Sequence, residues 1–121
     1  MCGIVGYISE DQPIDPAEFD RRRDMLIARG PDGGDSRFFN ENRVALGHRR
    51  LAIVDLSEAG SQPMCNEEGD VWLTYNGELY NHQSLRAELE SEGHVYRSNC
   101  DAETIIHAYE EWGDDCVLRF R

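Results

Sequence analysis

The order in which short apolar runs follow one another constrains the fold of this chain more than any other feature. The runs change from strand-like to helix-like periodicity and back, without the regular strand-helix alternation of a doubly wound parallel sheet. This order predicts an α+β fold, and 121 residues allow one domain. The longest apolar stretches are far shorter than the roughly 18 residues needed to span a bilayer, so no membrane segment is predicted.

The secondary structure expected from these runs is mixed throughout. We predict strands over 2–8, 37–39, 44–48, 51–55, 71–75, 78–80 and 94–98. Three helices are predicted: one begins after Asp15 and ends before Gly30, and the others run from Asn81 to Gly93 and from Asp101 to Gly113. The alternating run 116–121 stops without a turn, so we expect the sequence to be cut inside a domain, with oligomers and weak activity for such a fragment.

Charge and cysteine usage exclude several kinds of function. The chain carries 24 acidic residues and 12 basic ones, a formal charge of −12, which argues against nucleic acid as a partner. Every basic residue is Arg, so lysine chemistry is excluded, and salt adaptation or a GC-rich genome would each explain this bias. The four cysteines form no C-x-x-C pair, so we predict neither a metal site nor a disulfide scaffold, and a reducing cytoplasmic compartment fits best.

Cys2 is the most informative single residue. Removal of the initiator Met would leave Cys2 at the N-terminus, where its α-amine, with a reference pKa of about 7.7–8.0, lies beside its thiol. One residue would then supply both nucleophile and base. The alternative is a small buried residue on the first strand.

Three other positions also have two interpretations. Asn76-Gly77 is typical of a hairpin turn, and the Asn amide and Gly N–H could equally donate to the oxygen of a tetrahedral intermediate. Arg50 could bind a carboxylate through two parallel bonds or lie at the surface of a strand end. Asp101 could bind an ammonium group or cap a helix.

The motifs taken together resemble a known family. They are Met1-Cys2-Gly3-Ile4-Val5-Gly6-Tyr7-Ile8, Arg29-Gly30-Pro31-Asp32, His48-Arg49-Arg50-Leu51-Ala52-Ile53-Val54-Asp55, Gln62-Pro63-Met64 and Tyr75-Asn76-Gly77-Glu78-Leu79-Tyr80-Asn81. Nearly the whole chain closely resembles the glutaminase domain of glutamine-hydrolysing asparagine synthetases. These belong to the class II, N-terminal-nucleophile (Ntn) amidotransferases. The resemblance implies a four-layer sandwich of two antiparallel sheets between helices, here C-terminally incomplete.

The resemblance also implies a role for individual residues. Cys2 would be the nucleophile that attacks the side-chain amide of L-glutamine, with Asn76 and Gly77 as the oxyanion hole. Arg50 would hold the α-carboxylate of glutamine and Asp101 its α-amine. In the family, Leu51, Ile53, Val54 and Glu78 complete the glutamine pocket.

The partners implied by the resemblance lie largely outside this sequence. Residues 1–121 would be a partial glutaminase domain that lacks the synthetase domain, and ATP and Mg would belong to that domain, with no cofactor here. A homodimer is possible. The function implied is glutamine hydrolysis that feeds ammonia to aspartate. The alternatives are a paralogue that amidates another carboxylate and a catalytically silent module of the same fold.

Overall fold

A computed structural model describes the backbone of residues 1–52 and 58–121, together with their side chains except that of Glu58. The described residues contain five strands: β1 (Gly3–Ile8), β2 (Gly33–Phe39), β3 (Val44–Arg50), β4 (Met64–Cys65) and β5 (Trp72–Leu73). In the same part of the chain there are three α-helices: α1 (Pro16–Asp24), α2 (His82–Ser91) and α3 (Asp101–Trp112). Short 3₁₀ segments cover Glu58–Gly60 and Gly113–Arg119. The predicted α+β class is confirmed, with two antiparallel sheets.

The larger sheet has the order β1-β3-β2, so β3 is central and antiparallel to both neighbours. β2 and β3 are joined by a turn in which Asn40, Glu41 and Asn42 all have positive φ. This turn lies between the strands predicted over 37–39 and 44–48, which the structure pairs as a hairpin. In the register of the sheet, Gly3 lies opposite Arg49, which brings the start of β1 beside the end of β3.

α1 packs on one face of this sheet. Asp15 caps the helix by accepting a hydrogen bond from the Ala17 N–H at 3.3 Å. Phe19 is 1% exposed and its ring meets Phe38 edge to face, with the ring centroids 5.4 Å apart. A Cβ at Gly47 would lie 2.9 Å from the Phe19 ring, so only glycine lets α1 approach β3 this closely.

The smaller sheet is a hairpin of β4 and β5. Its turn is closed by Asn66, whose Oδ1 accepts hydrogen bonds from the N–H groups of three residues, Gly69, Asp70 and Val71. The Trp72 ring lies against Phe39 of β2, with centroids 5.4 Å apart, and so joins the two sheets. α2 and α3 form a second core, whose members are Leu89, Ala108, Cys116, Tyr96, Trp112 and Phe120.

Two strand predictions are wrong for the same physical reason. No strand forms over 78–80 or 94–98, and the hairpin pairs β4 with β5 instead of turning at Asn76-Gly77. The Leu79 N–H is bound by the Asp101 carboxylate at 2.7 Å, and the N–H groups of Arg97 and Ser98 are bound by Glu103. These donors are therefore unavailable to a strand partner.

Other element boundaries also differ from the prediction. Asn81 and Asp101 do not cap α2 and α3 through their side chains, and the Asp101 carboxylate bonds to the preceding loop instead. The strand predicted over 51–55 is not formed at Leu51 and Ala52, and its remainder lies outside the described residues. Residues 113–119 form 3₁₀ turns instead of the alternating extended run, and Arg121 bonds back to Asn81. Among the described helices none has the length and apolarity to traverse a bilayer.

Candidate active site

A cavity of about 540 Å³ opens where the start of β1, the end of β3, the 75–78 loop and the start of α3 meet. The predicted site residues that line it are Cys2, Arg50, Leu51, Asn76, Gly77, Glu78 and Asp101. Ile53 and Val54 lie outside the described residues. The remaining lining residues are Met1, His48, Ala52, Gly60, Gln62, Tyr75, Tyr80 and Cys100. The structure thus brings every described candidate to one cavity.

Cys2 is held by the backbone that follows β3. Its Sγ accepts a hydrogen bond from the Leu51 N–H at 3.3 Å, and its carbonyl accepts one from Arg29 Nε at 3.1 Å. The same Sγ lies 3.7 Å from the Leu51 carbonyl, so both backbone groups of Leu51 hold the thiol at the cavity. Met1 is 73% exposed at the edge of the cavity.

The Arg29-Gly30-Pro31-Asp32 loop fixes the strand end that carries Arg50. The Gly30 backbone lies so close to the Arg49–Arg50 peptide that a Cβ would come within 2.6 Å of the Arg50 nitrogen. Arg49 Nε donates to the Gly30 carbonyl at 2.9 Å, and the Asp32 carboxylate accepts the Ala52 N–H at 2.9 Å. The motif therefore has a structural role beside the cavity, which explains its residue types.

The loop that carries Asn76 and Gly77 is anchored from the other side by Gln62. The buried Gln62 side chain accepts the Tyr75 N–H through Oε1 at 2.6 Å. A Cβ at Gly77 would meet the outer end of the Tyr75 phenol ring, so a larger residue here would displace that ring. Burial, together with the negative charges of Asp101 and Glu78, raises the pKa of Tyr75, which keeps the phenol neutral.

The cavity presents a guanidinium, from Arg50, and a buried carboxylate, from Asp101, that a zwitterionic ligand could use. Arg50 Nη1 lies 3.3 Å from the Ser61 hydroxyl. Asp101 is 8% exposed, and its Oδ2 accepts the Leu79 N–H at 2.7 Å. Its other oxygen, Oδ1, lies 3.7 Å from the Cys100 thiol. A cationic ligand would stabilise this buried carboxylate further.

The sequence assigned no role to His48, Gln62, Tyr75 or Cys100, although three of them lie in the motifs that carry the resemblance. His48 is 1% exposed, and neither ring nitrogen has a hydrogen-bond partner among the described residues. Burial lowers the pKa of His48, the Tyr75 backbone opposes this effect, and the Arg50 charge reinforces it. The ring is therefore neutral at pH 7. For Gln62 the only signal in the sequence was its place in Gln62-Pro63-Met64.

The fold and this cavity agree with a comparison of the sequence with protein families. The chain belongs to the glutamine amidotransferase domain family, whose model matches residues 1–121. The resemblance found from the motifs is thereby confirmed.

Among individual proteins, the chain is 45% identical over 121 residues to asparagine synthetase [glutamine-hydrolyzing] 3 of Bacillus subtilis (strain 168), covering 97% of this chain and 19% of that protein. It is 34% identical over 125 residues to asparagine synthetase [glutamine-hydrolyzing] 1 of the same organism, covering 100% of this chain and 19% of that protein. It is 38% identical over 123 residues to a probable asparagine synthetase of Dictyostelium discoideum, covering 97% of this chain and 21% of that protein. The chain thus spans about one fifth of the length of these relatives.

Proposed function

We propose that this domain hydrolyses L-glutamine to L-glutamate and ammonia, with Cys2 as the nucleophile. The observation that carries the proposal is the convergence of a thiol, an Asn-Gly pair, a guanidinium and a buried carboxylate on one cavity of about 540 Å³. Residues from positions 2 to 101 contribute, so local structure alone does not explain their meeting. A silent module of the same fold has no need of this set.

The reaction follows from the proposed positions. After removal of Met1, the Cys2 thiol passes its proton to the free α-amine and its sulfur attacks the side-chain carbonyl of glutamine. The Asn76 amide and the Gly77 N–H donate to the oxygen as it becomes negative. The C–N bond then breaks, the α-amine returns the proton to the leaving nitrogen, and ammonia departs. Water hydrolyses the thioester to glutamate.

Recognition of the amino-acid end of glutamine is proposed for two residues of opposite charge. Arg50 binds the α-carboxylate, and Asp101 binds the α-ammonium with the oxygen that is not engaged by the Leu79 N–H. Leu51, Ile53, Val54 and Glu78 complete the pocket. Because both ends of the zwitterion are held, the amide group is directed toward Cys2.

The layered arrangement of the domain and its partner domain are also proposals. We propose the Ntn four-layer arrangement for the domain, supported by α1 on one face of the larger sheet and the Trp72 contact on its other side. The asparagine synthetase relatives support a synthetase domain as partner and aspartate as acceptor. ATP and Mg in that domain stay a prediction. A homodimer and a cytoplasmic location stay predictions.

The test is covalent labelling of the purified 121-residue chain with a glutamine-mimicking diazoketone, followed by mass spectrometry. We expect Met1 to be absent, Cys2 to be labelled, and excess L-glutamine to protect it. Cys100 is the internal control because its thiol lines the same cavity, while Cys65 and Cys116 do not line it. Equal labelling of Cys100, or labelling of chains that retain Met1, would overturn the assignment of the nucleophile.

A further inference from the structure

A cluster of two histidines and a carboxylate lies outside the glutamine cavity, where the segment after α2 meets α3. The Nδ1 atoms of His94 and His107 are 3.2 Å apart. Glu110 Oε2 lies 3.1 Å from His107 Nδ1 and 3.8 Å from His94 Nδ1. Among the described residues this is the one group of three His, Cys, Asp or Glu side chains that converge closely enough to hold an ion.

The opposite nitrogen of each imidazole faces a further carboxylate. His94 Nε2 lies 3.1 Å from Glu111 Oε2, and His107 Nε2 lies 3.7 Å from Glu103 Oε1. A ring N–H directed at a carboxylate fixes the tautomer and leaves the other nitrogen as a lone pair, the arrangement typical of metal-binding histidines. The contact with Glu111 places the proton of His94 on Nε2. His107 Nε2 is buried and has no hydrogen-bond partner among the described residues, since 3.7 Å to Glu103 is beyond bonding distance.

With the His94 proton on Nε2, the electron pairs of His94 Nδ1 and Glu110 Oε2 converge on His107 Nδ1. These three atoms would repel one another unless a proton or a metal ion lies between them. The Glu110 carboxylate is held in place because its Oε1 accepts a hydrogen bond from Asn66 Nδ2 at 2.7 Å. His107 is only 1% exposed, so water does little to relieve the repulsion.

The separations of the three atoms fit a transition-metal ion. A point equidistant from atoms 3.1, 3.2 and 3.8 Å apart lies about 2.0 Å from each, which matches Zn–N and Zn–O bonds of about 2.0–2.2 Å. Two imidazoles and one carboxylate suit Zn²⁺, whereas Mg²⁺ and Ca²⁺ prefer six or more oxygen ligands. Three protein ligands leave a fourth position for water.

We propose that His94, His107 and Glu110 form a binding site for one divalent transition-metal ion, with Zn²⁺ as the best fit. The site ties the 94–98 segment to α3 and, through Asn66, to the β4–β5 turn. The site is separate from the cavity of the proposed glutaminase, because none of its ligands lines that cavity. The inference does not depend on the proposed glutaminase activity.

The test measures metal binding directly. The 121-residue chain is stripped with a chelator and titrated with Zn²⁺ by calorimetry, with Co²⁺ absorption as a second readout. The titration uses the Cys2→Ser, Cys100→Ser background, because thiols in the cavity could bind zinc themselves. We expect one equivalent bound, a rise in Tm, and the intense visible absorption of a four-coordinate Co²⁺ site.

Ligand variants and a matched control decide the result. His94→Ala and Glu110→Ala should each weaken binding by about 100-fold or more, and Glu111→Gln by about 10-fold. His82→Ala is the control, because His82 begins α2 and is not part of the cluster, and it should bind like the parent. Circular dichroism establishes that each variant folds. Absence of saturable binding, or binding that both ligand variants retain, would show that the histidines share a proton instead and would overturn the proposal.

Discussion

The cavity lined by Cys2 and Asp101 and the histidine cluster differ in what holds their side chains. At the cavity, backbone N–H groups hold them: the Leu51 N–H bonds to Cys2 and the Leu79 N–H to Asp101. In the cluster, carboxylates hold imidazoles through contacts between side chains. The geometry of the cavity therefore depends on the backbone conformation of its loops. The geometry of the cluster depends on the charges of its side chains and therefore on pH.

The largest expected effect tests the cavity. In the whole protein, Asn76→Ala should lower kcat for glutamine hydrolysis by about 10² to 10³, because the lost donor acts on charge that develops in the transition state. Arg50→Ala should instead raise KM, since the guanidinium binds glutamine before and during reaction. Steady-state glutamate release separates the two. If Asn76→Ala changed only KM, the turn interpretation of Asn76-Gly77 would be correct.

The next effect tests the charge network beside the cluster. Burial alone would raise the pKa of Glu103, but contacts with His107, Ser98 and the Arg97 backbone outweigh burial and lower it to about 2. The ordinary value is 4.5, so the stabilisation is complete above that pH and is lost as pH falls toward 2. Glu103→Gln should reduce the free energy of unfolding at pH 7 by on the order of 3 kcal/mol.

Urea unfolding at several pH values checks this expectation. The parent chain should lose stability between pH 4.5 and about 2, and Glu103→Gln should lose much less over the same window. Glu10→Gln removes an equal charge from an exposed loop and should follow the parent curve. Parallel curves for the parent and Glu103→Gln would contradict the network.

A smaller effect tests the tie between the end of the described chain and α2. The Asn81 side chain donates to the Arg119 carbonyl at 2.8 Å and accepts the Arg121 N–H at 2.9 Å. Asn81→Ala should reduce the free energy of unfolding by about 1 kcal/mol, because both bonds are solvent-exposed. In the whole protein it should leave kcat unchanged, which makes it the matched control for Asn76→Ala.

The smallest expected change in unfolding free energy concerns an exposed ion pair, and it gives the reference value for surface charges. Glu18 and Arg22 form an exposed ion pair one turn apart on α1. Glu18→Gln should change the free energy of unfolding by no more than about 0.5 kcal/mol, and less in high salt. A loss of unfolding free energy near that of Glu103→Gln would mean that exposed charge pairs stabilise this chain as much as buried ones. The buried network around Glu103 would then have no special role.

Local sequence patterns were sufficient to predict the elements that are stabilised by packing against a hydrophobic core. β1, α1, β3, α2 and α3 follow from apolar spacing, and the Asp15-Pro16 start of α1 is readable directly. The failures lie where side chains remote in sequence bind backbone donors, as Asp101 does at Leu79 and Glu103 at Ser98. No local pattern contains that information.

The candidate site shows the same division. The motifs indicated Cys2, Arg50, Asn76 and Asp101, which the structure brings to one cavity. They gave no reason to expect the anchoring of Tyr75 by Gln62, since thirteen residues separate the partners. The histidine cluster was missed because its ligands come from two segments without a recognisable metal-binding spacing.

The position of Cys2 just before β1 determines when the proposed site can exist during protein synthesis. Cys2 is the first of the cavity residues proposed to act and Asp101 the last, so about 100 residues, or about 5–20 seconds of translation, separate them. β3 is made about halfway through that interval and α3 only at its end, so an aminopeptidase could reach Met1 on an open nascent chain. On the proposed mechanism the thiol would thus be unmasked before the cavity is complete, and the emergence of α3 from the ribosome would complete the site.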